Sequence, residues 1–248
     1  MKNSIILWTS SIVIVIVLSY LKTIFSENYP ITGTIGIEGE KITYKLDKEG
    51  YGDSHQIVLR SDLQEMIAKI VVIKNDSLIT IDFIKKGVFL VSELNRDIVD
   101  KSFYYYLQLD TKDYTKRIPI KENVHFRFYG KISKMLSIQY YFFLFIGMIL
   151  IVRSGLEFFN NNLMSKKLLI LSFVVWITFT ILINPLYLSY KFEYINHSIT
   201  PIQNLFPLDF LIILIMMIIT TILTFNSKFQ KKPITLIFSV ISLVLYLI

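Results

Sequence analysis

Cysteine is absent from the 248 residues of this chain. Disulfides, thiolate-ligated zinc, iron–sulfur clusters and thiol nucleophiles are therefore excluded. The three histidines, His55, His125 and His197, share no metal-ligand spacing such as HxxxH, and no cofactor is expected. There is no P-loop, no GxGxxG fingerprint and no GxSxG nucleophile elbow. Charge is also scarce where it matters most. Five long apolar runs carry no ionisable residue in their middle, so proton relays and carboxylate-coupled transport lack their usual groups. The balance leans away from an enzyme.

What is present is apolar surface. Hydrophobic residues make up 53% of the chain and mean hydropathy is +0.54, above the roughly 45–50% of ordinary globular domains. The excess is concentrated in one run near the N-terminus and four in the C-terminal half. The first, Ile5–Leu21, is longer than a signal-peptide core and lacks a small-x-small cleavage site, so it reads as a retained anchor (1–21). The others cover 135–152, 168–190, 210–225 and 233–248. The last two are short for a hydrocarbon core of about 30 Å, which either partial burial in the bundle or local thinning of the bilayer accommodates.

The net charge of +7 does not point to nucleic acid. Residues 22–136 hold 18 Lys and Arg against 16 Asp and Glu, and the remaining excess lies in short segments between apolar runs. No basic stripe with interleaved aromatics stands out. With the N-terminus inside, Lys2, Arg153, Lys166, Lys167, Lys228, Lys231 and Lys232 all fall on the cytoplasmic side, and the outer loop 191–208 carries only Lys191. Tyr20, Tyr140, Tyr141, Tyr187, Tyr190 and Tyr246 then gather at the outer interface. The expectation is five spans in a bacterial cytoplasmic membrane, with the C-terminus outside.

Residues 22–134 read as an extracytoplasmic domain. Period-two alternation places Ile79, Ile81 and Phe83 on one face, as it does Phe103, Tyr105, Leu107 and Leu109. Val124, Phe126 and Phe128 oppose His125, Arg127 and Tyr129 in the same way. Turn signals at 38–40, 48–53, 74–77 and 85–87 separate the runs, while Asp62–Ala68 is ambiguous between strand and helix. About eight short strands predict an antiparallel, Ig-like sandwich. Ser133 and Lys134 alone separate the last strand from the second run, so the sandwich should sit close to the membrane.

Candidate sites are few. Arg153 and Glu157 are four apart and share a helix face; they read either as a surface ion pair or as a contact for a partner or lipid headgroup. Asn184-Pro185 interrupts the third run and either kinks it or lines a cavity. Ser10, Ser11, Thr178, Thr180, Thr220, Thr221, Thr224, Ser239 and Ser242 trace a polar path or bond their own helices. Gly52-Asp53-Ser54-His55 is an ordinary turn or an exposed binding turn.

Arg127-Phe128-Tyr129-Gly130 leading into a span, with Arg153-Ser154-Gly155-Leu156-Glu157 at its far end, resembles an uncharacterised family of bacterial membrane proteins with an N-terminal anchor, a β-rich outer domain and an RFxG joint. The likeness covers roughly residues 30–160 and departs from the family's proline-rich Ala-Gly-Lys stretch at Asn95–Lys101. It implies no activity; Arg127, Gly130, Arg153 and Glu157 are expected as juxtamembrane or partner contacts. The resulting expectation is a membrane α-helical bundle carrying an all-β domain. It would be a non-enzymatic accessory, scaffold or binding subunit of a cell-envelope complex, embedded in the lipid bilayer among other membrane proteins. The alternative is a small transporter or lipid-modifying enzyme built around Asn184 and Asp209.

Overall fold

The computed structural model describes residues 2–61, 63, 66–74, 77–112, 114–160, 165–196, 202–225 and 231–247. His197, Lys228, Asn75 and Asp76 of the 74–77 turn, and Asp62, Gln64 and Glu65 of the ambiguous segment lie outside the described residues. In chain order the elements are helix α1 (Lys2–Ile24), then strands β1 (Ile31–Ile37), β2 (Glu40–Leu46), β3 (Glu49–Tyr51), β4 (Ser54–Arg60), β5 (Ile67–Lys74), β6 (Ser77–Asp82), β7 (Ile84–Lys86) and β8 (Phe89–Asn95). A short helix α2 (Arg96–Val99) precedes β9 (Ser102–Asp110), β10 (Thr115–Ile118) and β11 (Val124–Tyr129). The remaining helices are α3 (Lys134–Leu156), α4 (Ser165–Thr178), α5 (Asn184–Lys191), α6 (Ile202–Leu205), α7 (Leu208–Phe225) and α8 (Lys231–Leu247). The chain forms two compact units, Glu27–Lys131 and the remainder.

The β unit is built from three sheets: β1-β2, β4-β8-β7, and β3-β11-β9-β5-β6 with β10 added on β9. Alternation drives the packing. Phe103, Tyr105, Leu107 and Leu109 of β9 and Val124, Phe126 and Phe128 of β11 are all buried. They share one core with Ile42 and Leu46 of β2, Leu59 of β4, Ile70 and Val72 of β5, and Leu90 and Leu94 of β8. At the centre, Phe126 packs edge-on to Phe128 with ring centroids 5.0 Å apart, and Phe103 lies 5.3 Å from Phe126.

One local reading changes. The Gly50 region, expected as a turn, contains β3, which runs parallel to β11 rather than antiparallel. Its glycine serves close approach: a Cβ at Gly50 would lie 2.7 Å from the Phe126 ring and 3.1 Å from the His55 Cβ. Asn95, the last residue of β8, caps α2, its side chain accepting the Asp97 N–H at 3.1 Å.

The helical unit is organised around α3, which contacts α1, α4 and α8. Four helical stretches are long and apolar enough to cross a membrane among the described residues: Ser4–Ile24, Lys134–Phe159, Lys166–Lys191 and Leu208–Phe225. This marks a membrane protein. The fifth run forms α8, whose 17 residues rise only about 25 Å. Ile213, Met217, Thr220 and Thr224 of α7 are buried at helical spacing, while Ile215, Ile219 and Ile222 are exposed. Gly147 of α3 admits the Trp176 ring, which would meet a Cβ there at 2.8 Å. Trp176, Phe179 and Phe210 then pack at centroid separations of 5.2–5.8 Å.

At the far end of α1, Ser19 and Tyr246 share a hydroxyl hydrogen bond of 2.9 Å. Lys22 Nζ donates to the Tyr246 carbonyl at 2.5 Å. These bonds tie α1 to α8.

Candidate functional site

The second run ends by composition at Val152, but its helix does not. Backbone hydrogen bonding carries α3 through Leu156 and a 3-10 turn to Phe159, which brings Arg153 and Glu157 inside the helical stretch. They share a face as their spacing requires, yet neither lies on the surface: each side chain is only 1% exposed. Arg153 Nη1 stands 2.6 Å from Glu157 Oε1. The contact is close but poorly directed. Arg153 Nε and Nη1 and both Glu157 oxygens complete no hydrogen bond among the described residues. The Trp8 ring of α1 covers the guanidinium at 5.5 Å, a cation–π contact that strengthens where water is excluded. Between Arg153 and Glu157, Gly155 lets α8 approach α3 closely, with Ser239 occupying the space of a Cβ and the Thr235 carbonyl 3.3 Å from that position. The arginine also suits the negative end of α3, and the glutamate there depends on it. Trp8 was not legible as part of this site, since nothing in the sequence links positions 8 and 153.

Asn184 is fully buried, and its Nδ2 donates to the Leu205 carbonyl at 3.3 Å. The residues before it, Phe179–Ile183, form a π-helical turn. Pro185 explains this turn, because a proline has no N–H to donate and its ring crowds the carbonyl one turn earlier. Asn184 Oδ1 and Thr180 Oγ1 are buried without a hydrogen-bond partner among the described residues. Asp209 is half-buried in the first turn of α7, near enough for its charge to act on Lys22. Thr180 and Asn184 are therefore one feature of the fold; among the described residues Asn184 donates to Leu205 and not to Asp209.

In the β unit, Arg127 is exposed, its guanidinium 5.4 Å from the Tyr129 ring. Gly130 follows β11 and is buried. Tyr129 departs from the alternation: it is buried and packs on Tyr51 at 5.7 Å. His125 Nε2 and the Ser102 hydroxyl are hydrogen bonded at 2.9 Å. Asp53 and Ser54 are exposed, but His55 turns inward onto Phe126 at 5.0 Å. Its Nε2 lies 3.4 Å from Asp47, which also meets Lys45 at 2.9 Å. Burial lowers the His55 pKa, and Asp47 opposes that shift. A shallow open depression is lined by Lys41, Thr43, Arg60 and Ser61. Among the described residues no three acidic or imidazole side chains converge as metal ligands would.

Strand β1 has a hydrogen-bonded neighbour on one side only. The two-residue turn Glu38-Gly39, with φ of 49° and 84°, closes the β1–β2 hairpin in the left-handed geometry of a type I′ turn. Ile37 and Glu40 are therefore a hydrogen-bonded pair, and with them Ile35, Gly33 and Ile31 bond to β2. Thr32, Thr34 and Gly36 present their N–H and C=O groups to the opposite side. Lys116 Nζ takes the Gly36 carbonyl at 2.5 Å. Thr32 and Thr34 are exposed and have no backbone partner on that side among the described residues. Tyr44, opposite Gly33, lies over it and fills the space of its missing side chain.

Comparison with family models, with curated proteins and with solved structures returns no match.

Replacing Glu157 by Ala leaves a buried guanidinium uncompensated and should cost about 3–5 kcal/mol. Replacing the pair together, Arg153→Met with Glu157→Leu, should restore most of that loss. Thermal unfolding of the purified chain in detergent checks both; equal losses in the single and double variants would show that the pair is not coupled.

The His55 shift has a defined sign. A depressed folded pKa means that the unfolded state binds more protons, so the contribution is complete above pH about 6.5 and declines as pH falls through the lower folded value. The β unit of a His55→Gln variant should lose less stability than the parent between pH 7 and 5. Denaturant titration of the full chain at both pH values, followed by tyrosine absorbance, is the measurement.

Proposed function

We propose that the protein is a non-enzymatic membrane subunit whose β domain binds another protein outside the cytoplasm, within a larger assembly of the bacterial cell envelope. The observation that carries this reading is the outer edge of β1, where Lys116 caps Gly36 but Thr32 and Thr34 have no backbone partner among the described residues. Proteins usually blunt such edges with charge, proline or a covering element. A partner strand that adds to the edge obtains main-chain hydrogen bonds without a dedicated pocket.

The layout expected from the sequence belongs to the same reading. Five spans with the N-terminus inside are supported by the positive charges of Lys2, Arg153, Lys166, Lys167, Lys228, Lys231 and Lys232. A sandwich of Ig-like type is supported by the single core shared by three sheets. Retention of the first helix as an anchor is supported by the contacts of Trp8, Ser19 and Lys22 with α3 and α8.

Proline at position 34 removes an outward N–H and leaves the β1–β2 bonds untouched. The Thr34→Pro variant should therefore insert and fold normally but lose its protein partner on purification in mild detergent. Protease added to intact cells should cut within residues 31–132. A partner kept by the variant, or a domain that stays protected, overturns the reading.

A second reading, a small transporter or lipid-modifying enzyme, is favoured by one observation: the unpartnered Thr180 Oγ1 and Asn184 Oδ1 beside the π-helical turn. π-Helical turns concentrate at functional sites. On this reading Asn184→Ala and Asp209→Ala each abolish transport or lipid modification in reconstituted vesicles while expression is unchanged. Wild-type behaviour of both variants excludes it.

A further inference from the structure

We infer that the strand which completes β1 is β1 of a second copy of this chain, joined antiparallel about a two-fold axis at Gly33. The inference rests on the strand-addition reading above and names its partner.

Three features of the edge support self-pairing. First, Ile31–Ile37 contains no charged residue, so two copies laid side by side bring no like charges together. Second, the outward groups belong to the even-numbered residues, and a two-fold axis at Gly33 sets even residues opposite even residues. Thr32 then faces Thr34 of the second copy, and the two exchange both N–H···O=C bonds. Gly33 faces its own counterpart in the closer, non-hydrogen-bonded spacing, with the Tyr44 ring of each copy lying over its own Gly33.

Third, the paired stretch ends where the strand does. In this register Gly36 would fall opposite Pro30 of the second copy, whose ring has no N–H to give and ends the ladder there, and the Gly36 carbonyl is already taken by Lys116. Moving the axis to Thr34 instead sets Thr32 against the carbonyl that Lys116 has taken, and that bond is lost. The contact is isologous, as closed two-fold assemblies require.

The absence of cysteine makes the register directly testable in the full chain. Thr32→Cys and Thr34→Cys are placed on two differently tagged copies, co-expressed and oxidised in native membranes. Paired residues in this register have Cα atoms about 5.5 Å apart, within disulfide range, whereas Thr32–Thr32 and Thr34–Thr34 lie on diagonals about 7–8 Å apart, at or beyond its limit. A disulfide-linked heterodimer should form from the mixture, several-fold above either variant alone and above an Ile120→Cys control. Ile120 is 77% exposed and reports random collision.

Without crosslinking, native mass measurement in detergent should find the parent dimeric and the Thr34→Pro variant monomeric. Absence of the heterodimer together with a monomeric parent overturns the inference. If the parent is monomeric yet Thr34→Pro still loses a different protein, the strand-addition reading stands and self-pairing falls. If Thr34→Pro changes no association, both fall.

Discussion

Every backbone N–H and C=O removed from water must find a partner, and this requirement governs both halves of the molecule. Helices α1, α3, α4, α7 and α8 meet it internally, which leaves their side chains free to be almost wholly apolar. The β unit meets it between strands and can do so only while a neighbouring strand exists. Two places are informative. One is the turn before Pro185, where the α4–α5 stretch widens into a π-helical turn. The other is the outer side of β1, where Thr32 and Thr34 have no backbone partner among the described residues.

Side chains in the helical unit follow the same economy. The hydroxyls of Ser11, Ser154, Ser172, Thr178, Thr221 and Ser242 return to carbonyls of the preceding turn at 2.7–2.9 Å. They are polar in name only, because each is satisfied within its own helix. Thr180 and Thr224 break that habit, with buried hydroxyls that bond nothing among the described residues. Arg153 and Glu157 break it more severely, since a buried ion pair recovers its desolvation cost only when its hydrogen bonds are well aimed.

Much of the β core was legible because a period of two leaves little choice. Once Phe103, Tyr105, Leu107 and Leu109 share a face, burying that face dictates the role of β9. Gly50 misled because glycine signals a turn and close packing equally well, and only the position of Phe126 separates the two. The end of α3 misled for a different reason. A hydropathy run stops at its first charge, whereas a helix stops where its hydrogen bonds stop, and those continue past Arg153. The spacing of Arg153 and Glu157 was visible in the sequence; the Trp8 ring that covers the guanidinium comes from a position remote in the chain. The open side of β1 was not visible at all, because a strand's sequence does not say which of its two edges will be left without a neighbour.

The placement of the two tryptophans makes the units optically separable. Trp176 is sealed in the helical core and Trp8 lies beside a guanidinium at the bundle's edge, 36% exposed. The β unit has tyrosines but no tryptophan. Indole emission thus reports on the helices alone, a blue-shifted component from position 176 and a cation-perturbed one from position 8. Phenol absorbance carries signal from the strands as well. Loss of one signal without the other would distinguish melting of the bundle from melting of the sheets within a single unlabelled sample.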